Sequence, residues 1–117
     1  MTRYEKTVTI LIVDDEPLAR EGIRDLLDDF PMLNIAGEAT SVQTAIAAIA
    51  GCHPDILLVD YHLPDGNAQD ILTLCDPKRA IIFSADHRIG DELTDTGILF
   101  IPKPLSRTTL RYALNRY

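Results

Sequence analysis

The chain has few cysteines, few basic residues and no long apolar runs, and each of these shortages excludes certain classes of protein. Its two cysteines, Cys52 and Cys75, are too few and too far apart for a metal motif, a redox pair or a disulfide framework, so we expect two free thiols. No run approaches the roughly 20 apolar residues that a membrane span requires. Residues 1–6 lead into a short apolar run that ends in acids, unlike a signal peptide. We therefore expect a cytoplasmic protein that makes no membrane contact.

Basic residues are outnumbered, with 11 lysines and arginines against 18 aspartates and glutamates and a net charge of −7. Because affinity for nucleic acids comes largely from neutralising phosphates, we expect no direct nucleic-acid binding by this chain. Hydrophobic residues make up 46% and charged residues 25% of the sequence, as in ordinary globular domains. The length predicts a single domain over 1–117, and any output domain would lie outside it.

Five apolar runs with little alternation indicate strands that are covered on both faces. We place the strands at 8–14, 33–39, 55–60, 79–84 and 98–102. Segments with helical spacing separate the runs, and another follows the last run. This regular alternation predicts an α/β fold, a five-stranded doubly wound parallel sheet flanked by five helices.

The first, second and fifth helices carry clear boundary signals. Pro17 suits a first helical turn, and Ser41 and Ser106 are capping candidates. Gly51 is expected to end the second helix. The first helix is expected to bury one apolar face, formed by Leu18, Ile23, Leu26, Leu27 and Phe30.

The third and fourth helices have weaker boundary signals in the sequence. The third is expected to run from Ala68 to Cys75 and to stop at Asp76. The segment 86–96 holds only two strong apolar positions, with Gly90 between them. We therefore predict a short or weak fourth helix of about two turns, or partial disorder.

A polar residue directly follows four of the apolar runs. Asp14 and Asp15 follow the first run and Asp60 follows the third. Ser84 and Lys103 follow the last two. Because the carboxyl ends of parallel strands lie at one edge of an open sheet, where such folds bind ligands, we expect these side chains to share one pocket.

The clustered acids predict a cation site. Two carboxylates about 4 Å apart repel each other by roughly 4 kcal/mol at an effective dielectric constant near 20, so Asp14, Asp15 and Asp60 need a partner. A few hard oxygen ligands with room for water and phosphate suit Mg²⁺, with Mn²⁺ as a substitute. The alternative for Asp14 and Asp15 is that they merely cap the following helix.

The chain resembles the receiver domain of two-component response regulators, which has a flavodoxin-like fold. The resemblance spans almost the whole chain and rests on residues 12–17, 58–66, Ser84-Ala85 and Lys103-Pro104. It implies that Asp60 is the phosphoacceptor for a sensor histidine kinase or a phosphotransfer protein. It also implies Mg²⁺ binding by Asp15, Asp60 and the His62 backbone carbonyl, with Asp14 acting mostly through water.

The same resemblance assigns further roles around the phosphoryl group. Ser84 would donate a hydrogen bond to it and Lys103 would pair with one of its oxygens. The bond before Pro104 is expected to be cis. Phe100 occupies the position of a switch aromatic, although a plain core phenylalanine is the alternative.

His62 and Asp86 stand two positions beyond Asp60 and Ser84, where the family tunes the lifetime of the phosphorylated state. The alternative is an exposed, variable pair of loop residues. The intervals from Asp60 to Ser84 and from Ser84 to Lys103 are shorter than the family usually shows. The second shortening touches the fourth helix, part of the surface that commonly contacts an output domain, a downstream protein or a second copy in a homodimer.

Two other functions compete with this phosphorylation switch, which would not be an enzyme beyond its own phosphorylation and slow dephosphorylation. A haloacid-dehalogenase-like phosphatase also uses an aspartate nucleophile and Mg²⁺, but it needs an Asp-x-Asp motif. Residues 60–62 read Asp-Tyr-His and lack the second acid. A pseudo-receiver acts as a phosphorylation-independent interaction module, but it typically loses an acid or the lysine, and none is lost here.

Overall fold

The computed structural model describes residues 7–117. The segment 1–6, on which the expectation about a signal peptide rests, lies outside these residues. The strands are β1 (Val8–Val13), β2 (Leu33–Ala39), β3 (Ile56–Asp60), β4 (His62–Leu63), β5 (Gly66–Asn67), β6 (Ala80–Ser84) and β7 (Leu99–Pro102). The α-helices are α1 (Pro17–Leu27), α2 (Val42–Cys52), α3 (Gln69–Leu72), α4 (Arg88–Glu92) and α5 (Arg107–Leu114). None of the helices in this part of the chain is long and apolar enough to cross a membrane.

Five strands form one parallel sheet in the order β2-β1-β3-β6-β7, which confirms the predicted doubly wound architecture. The central strands β3 and β6 are buried along their whole length. Strands β4 and β5 pair as a small antiparallel hairpin directly after β3. This hairpin was not predicted, because strands of two residues show no periodicity.

The core consists of two apolar layers, one on each face of the sheet. One layer contains Val13, Val59 and Ile82 together with side chains of α2, α3 and α4. The other contains Ile12 and Phe83 together with side chains of α1 and α5. Alternate residues of each central strand therefore pack into opposite layers. This explains why the sequences of these strands are apolar without interruption.

The boundary signals of three helices are confirmed, with two corrections. Pro17 lies in the first turn of α1. Ser41 and Ser106 cap α2 and α5, each in a reciprocal arrangement with the threonine three residues later. However, α2 passes Gly51 and ends at Cys52, and the following residue adopts the left-handed conformation. Leu18 is 80% exposed and does not join the buried face of α1.

Helices α3 and α4 are single short pieces. Helix α3 ends at Leu72 instead of Cys75, because only Ile71 and Leu72 anchor it in the core and the next two residues are exposed. Helix α4 has five residues, shorter than about two turns, with Ile89 as its buried anchor. The prediction of a short fourth helix is confirmed.

Candidate functional site

Three carboxylates meet at the carboxyl edge of the sheet. Asp14 and Asp15 follow β1 and Asp60 ends the adjacent strand β3, so that one carboxylate oxygen from each lies within 4.8 Å of the others. Asp14 and Asp60 are buried and Asp15 is exposed. Solvent therefore reaches the cluster mainly at Asp15.

Burial dominates the electrostatics of the two inner acids. Loss of hydration raises the pKa of Asp14, against the hydrogen bond that its Oδ1 accepts from the Glu16 backbone N–H at 2.9 Å. Loss of hydration also raises the pKa of Asp60, against the charge of Lys103 and the hydrogen bond from it. Ionised carboxylates in this place need further positive charge nearby.

The donor set fits a hard divalent cation. Oδ2 of Asp14 is a buried carboxylate oxygen without a hydrogen-bond partner. An orphaned oxygen of this kind inside a cluster of three acids is costly unless a cation binds to it. Asp14 does not cap α1, because Glu16 is the N-cap of that helix and no side chain makes a capping hydrogen bond there.

Lys103 extends from the end of β7 into the same pocket. Its Nζ lies 3.2 Å from Oδ2 of Asp60, and its backbone N–H donates to the Ser84 carbonyl at 2.9 Å. The ammonium also lies 5.4 Å from the centre of the Phe83 ring, a cation–π contact that sequence reasoning missed. The Lys103–Pro104 bond is cis, as expected.

Ser84 joins the pocket to the start of α4. The residue is buried, and its Oγ accepts a hydrogen bond from the Asp86 backbone N–H at 3.0 Å. Asp86 in turn accepts hydrogen bonds from the side chain of Arg88 at 3.1 and 2.9 Å and from its backbone N–H at 3.0 Å. These bonds lower the pKa of Asp86 to about 2. Arg88 was not singled out from the sequence, where it reads as a surface charge.

The remaining predicted residues, His62 and Phe100, differ in how far they are exposed. The side chain of His62 is exposed, and its ring meets the Tyr61 ring edge to face with 5.0 Å between centres. Phe100 on β7 is half-buried and packs against Gly90 of α4.

The chain is similar to known proteins in sequence and in fold. A family model for the response regulator receiver domain matches residues 10–115. The transcriptional regulatory protein BtsR of Salmonella typhi is 32% identical over 113 residues, which cover 93% of this chain and 47% of that protein. The DNA-binding transcriptional activator DevR/DosR of Mycobacterium tuberculosis is 37% identical over 82 residues, which cover 67% of this chain and 38% of that protein. The chain thus spans about half the length, or less, of these relatives.

Solved structures share the fold. The isolated REC domain of RcsB from Salmonella enterica serovar Typhimurium, with the phosphomimetic BeF3−, superposes with a TM-score of 0.81 at 22% identity and covers 94% of this chain and 87% of that one. The non-phosphorylated receiver domain of RcsB from Escherichia coli gives 0.80 at 22% identity, with 94% and 92% covered.

Proposed function

We propose that this chain, which belongs to the response regulator receiver domain family, is a signalling switch that carries its phosphoryl group on Asp60. The observation that supports this most directly is the pairing of a buried Asp60 with Lys103 beside an unsatisfied oxygen of Asp14. A carboxylate held in this way combines a nucleophile, a fixed positive charge and a place for a cation.

In the proposed transfer, a carboxylate oxygen of Asp60 forms a bond to phosphorus while the bond from phosphorus to the donor breaks. The donor is the phosphohistidine of a kinase or phosphotransfer protein, whose imidazole leaves, or a small acyl phosphate. Asp14, Asp15, Asp60 and the His62 carbonyl would hold Mg²⁺, which offsets charge on the transferring oxygens. Lys103 would stabilise the same charge, because its Nζ already lies beside the nucleophile.

The switch would run through Ser84. Its hydroxyl is available to donate to a phosphoryl oxygen, and its Oγ is tied to Asp86 at the start of α4. A reorientation of Ser84 would therefore act on the first turn of α4 and on Phe100, which packs against that helix. The surface of α4, β7 and α5 would carry the change to an output domain, a downstream protein or a second copy.

A groove beside the pocket supports a protein as phosphodonor. A cavity of about 300 Å³ lies between α1 and the connection from β7 to α5, and Asp14 and Lys103 lie at its edge. Its other walls include apolar side chains such as Leu26 and Leu105 and the exposed Leu18. An apolar groove that has Lys103, the partner of Asp60, at its edge suits a helix that presents a phosphohistidine.

Neither alternative is favoured. A phosphatase of the haloacid-dehalogenase type would need a second acid at position 62, where this chain has a histidine with an exposed side chain. A pseudo-receiver would have no reason to keep three acids and a lysine in contact.

The test is phosphorylation with acetyl phosphate, followed by intact mass. With Mg²⁺ the parent chain should gain one base-labile phosphoryl group, and with excess chelator it should gain none. Asp60→Asn should remain unmodified, and Lys103→Ala should react about a hundredfold or more slowly. An unmodified parent chain, or steady phosphate release from unrelated esters, would contradict the proposal.

A further inference from the structure

Arg20 of α1 contacts the backbone that carries the acidic cluster. Its Nη1 donates to the carbonyl oxygen of Asp14 at 2.7 Å, and its Nε donates to Oε1 of Glu38 on β2 at 3.0 Å. The side chain of Arg20 is only 16% exposed. The same Glu38 oxygen accepts a hydrogen bond from Nη1 of Arg24, one turn further along α1, at 2.6 Å. Two arginines therefore share one carboxylate, and one of them also bonds the backbone of Asp14.

The bonded carbonyl belongs to the peptide unit that joins Asp14 to Asp15. Because a peptide unit is planar, anchoring its oxygen fixes the direction in which the chain enters Asp15. On its other side, Asp14 is held by a hydrogen bond from its N–H to the Ala39 carbonyl at 3.0 Å. The carboxylate of Asp15 is exposed, so few other contacts orient it. Arg20 is the side chain that ties this peptide unit to α1 and β2.

We propose that Arg20, oriented by Glu38, is a positioning residue that sets the divalent-cation affinity of the Asp14–Asp15–Asp60 cluster. The inference rests on the proposed function, since it concerns the same cation site. Removing a group that orients a metal ligand through a hydrogen bond typically lowers metal affinity by about 10- to 100-fold.

The sign of the effect separates positioning from simple electrostatics. Arg20 is a positive charge near the cluster, so if it acted by charge alone its removal would tighten cation binding. If it acts by fixing the peptide unit, its removal weakens binding despite the favourable loss of charge. Arg24 provides a matched control, because it bonds the same Glu38 oxygen but has no bond to Asp14.

The experiment measures cation binding directly, by calorimetric titration with Mg²⁺ and by the spin-resonance signal of free Mn²⁺. Arg20→Ala should weaken binding about tenfold. Glu38→Gln, which removes the charge of the carboxylate but keeps an oxygen that can accept from Arg20, should weaken binding by a smaller factor. Arg24→Ala should stay within about twofold of the parent chain. Circular dichroism and thermal melting confirm that each variant is folded.

Two results overturn the inference, and a third overturns its premise. Unchanged or tighter binding by folded Arg20→Ala refutes the positioning role, and so does an equal loss in Arg24→Ala, which would indicate a general loosening of α1 on β2. Failure of the parent chain itself to bind either cation would instead refute the cation site of the proposed function.

Discussion

The surroundings of single acids in and beside the pocket shift their pKa values, upward for Asp60 and downward for Asp86. Asp60 has an ordinary pKa of 3.8 that burial raises in the folded protein, although Lys103 lies beside it. The folded state therefore favours the neutral carboxyl. Its stabilising contribution is fully present below 3.8 and is lost as the pH rises through the raised pKa. At neutral pH the ionised carboxylate thus lowers the free energy of unfolding of the cation-free protein.

Asp60→Asn should consequently raise the melting temperature of the cation-free protein at neutral pH. The gain should shrink as the pH falls toward 3.8, where the parent carboxyl is itself protonated. Asp86→Asn is the matched control with the opposite sign, because hydrogen bonds with Arg88 lower the pKa of Asp86 to about 2. That variant should melt lower at neutral pH, with an effect that fades as the pH falls toward about 2. Equal shifts of the same sign would contradict this account.

At this scale the sequence predicts residues that follow strands and misses residues that act across elements. Asp14, Asp60 and Lys103 were found because strand ends of a parallel sheet share one edge, whatever the details of packing. Arg20 and Phe83 were missed because their contacts depend on how α1 sits on β2 and on which face of β6 meets the lysine. Those relations are tertiary and leave no local pattern.

Among the elements, α4 packs closely against its neighbour β7. A Cβ atom at Gly90 would lie 2.9 Å from Cδ2 of Phe100 and 3.2 Å from Cε2, closer than side chains normally approach. The glycine thus accepts a cost in helix stability of about 1 kcal/mol relative to alanine so that the ring can lie against the helix. Together with the buried Ile89, this contact attaches the five-residue helix to the rest of the protein.

Gly90→Ala should therefore couple to Phe100. In the parent chain the new methyl group displaces the ring, whereas in a Phe100→Val background it should stabilise the protein through helix propensity. A double-mutant cycle by chemical denaturation should give a coupling free energy of about 1 kcal/mol or more. Gly22→Ala in α1, whose Cβ would meet open space, should be additive with Phe100→Val. Additivity at Gly90 would contradict the contact.

Over the whole molecule, the order of the five sheet strands and of the helices could be predicted, but the ends of several elements could not. Uninterrupted apolar runs mark strands that are buried on both faces, and that pattern survives any detail of packing. Helix α3 ends early and Leu18 is exposed because neighbouring elements do not cover the chain at these positions. The sheet brings the ends of β1, β3, β6 and β7 together, so one topology accounts for both the core and the pocket.

The central claim is that this topology makes Asp60, and neither of the neighbouring acids, the phosphoacceptor. Borohydride reduces an aspartyl phosphate to homoserine, so the site can be read from the peptide masses of protein treated with acetyl phosphate and Mg²⁺. The account predicts homoserine at position 60 alone, formed only when Mg²⁺ is present. Homoserine at Asp14 or Asp15, or no reduced product in protein that binds Mg²⁺, would contradict it.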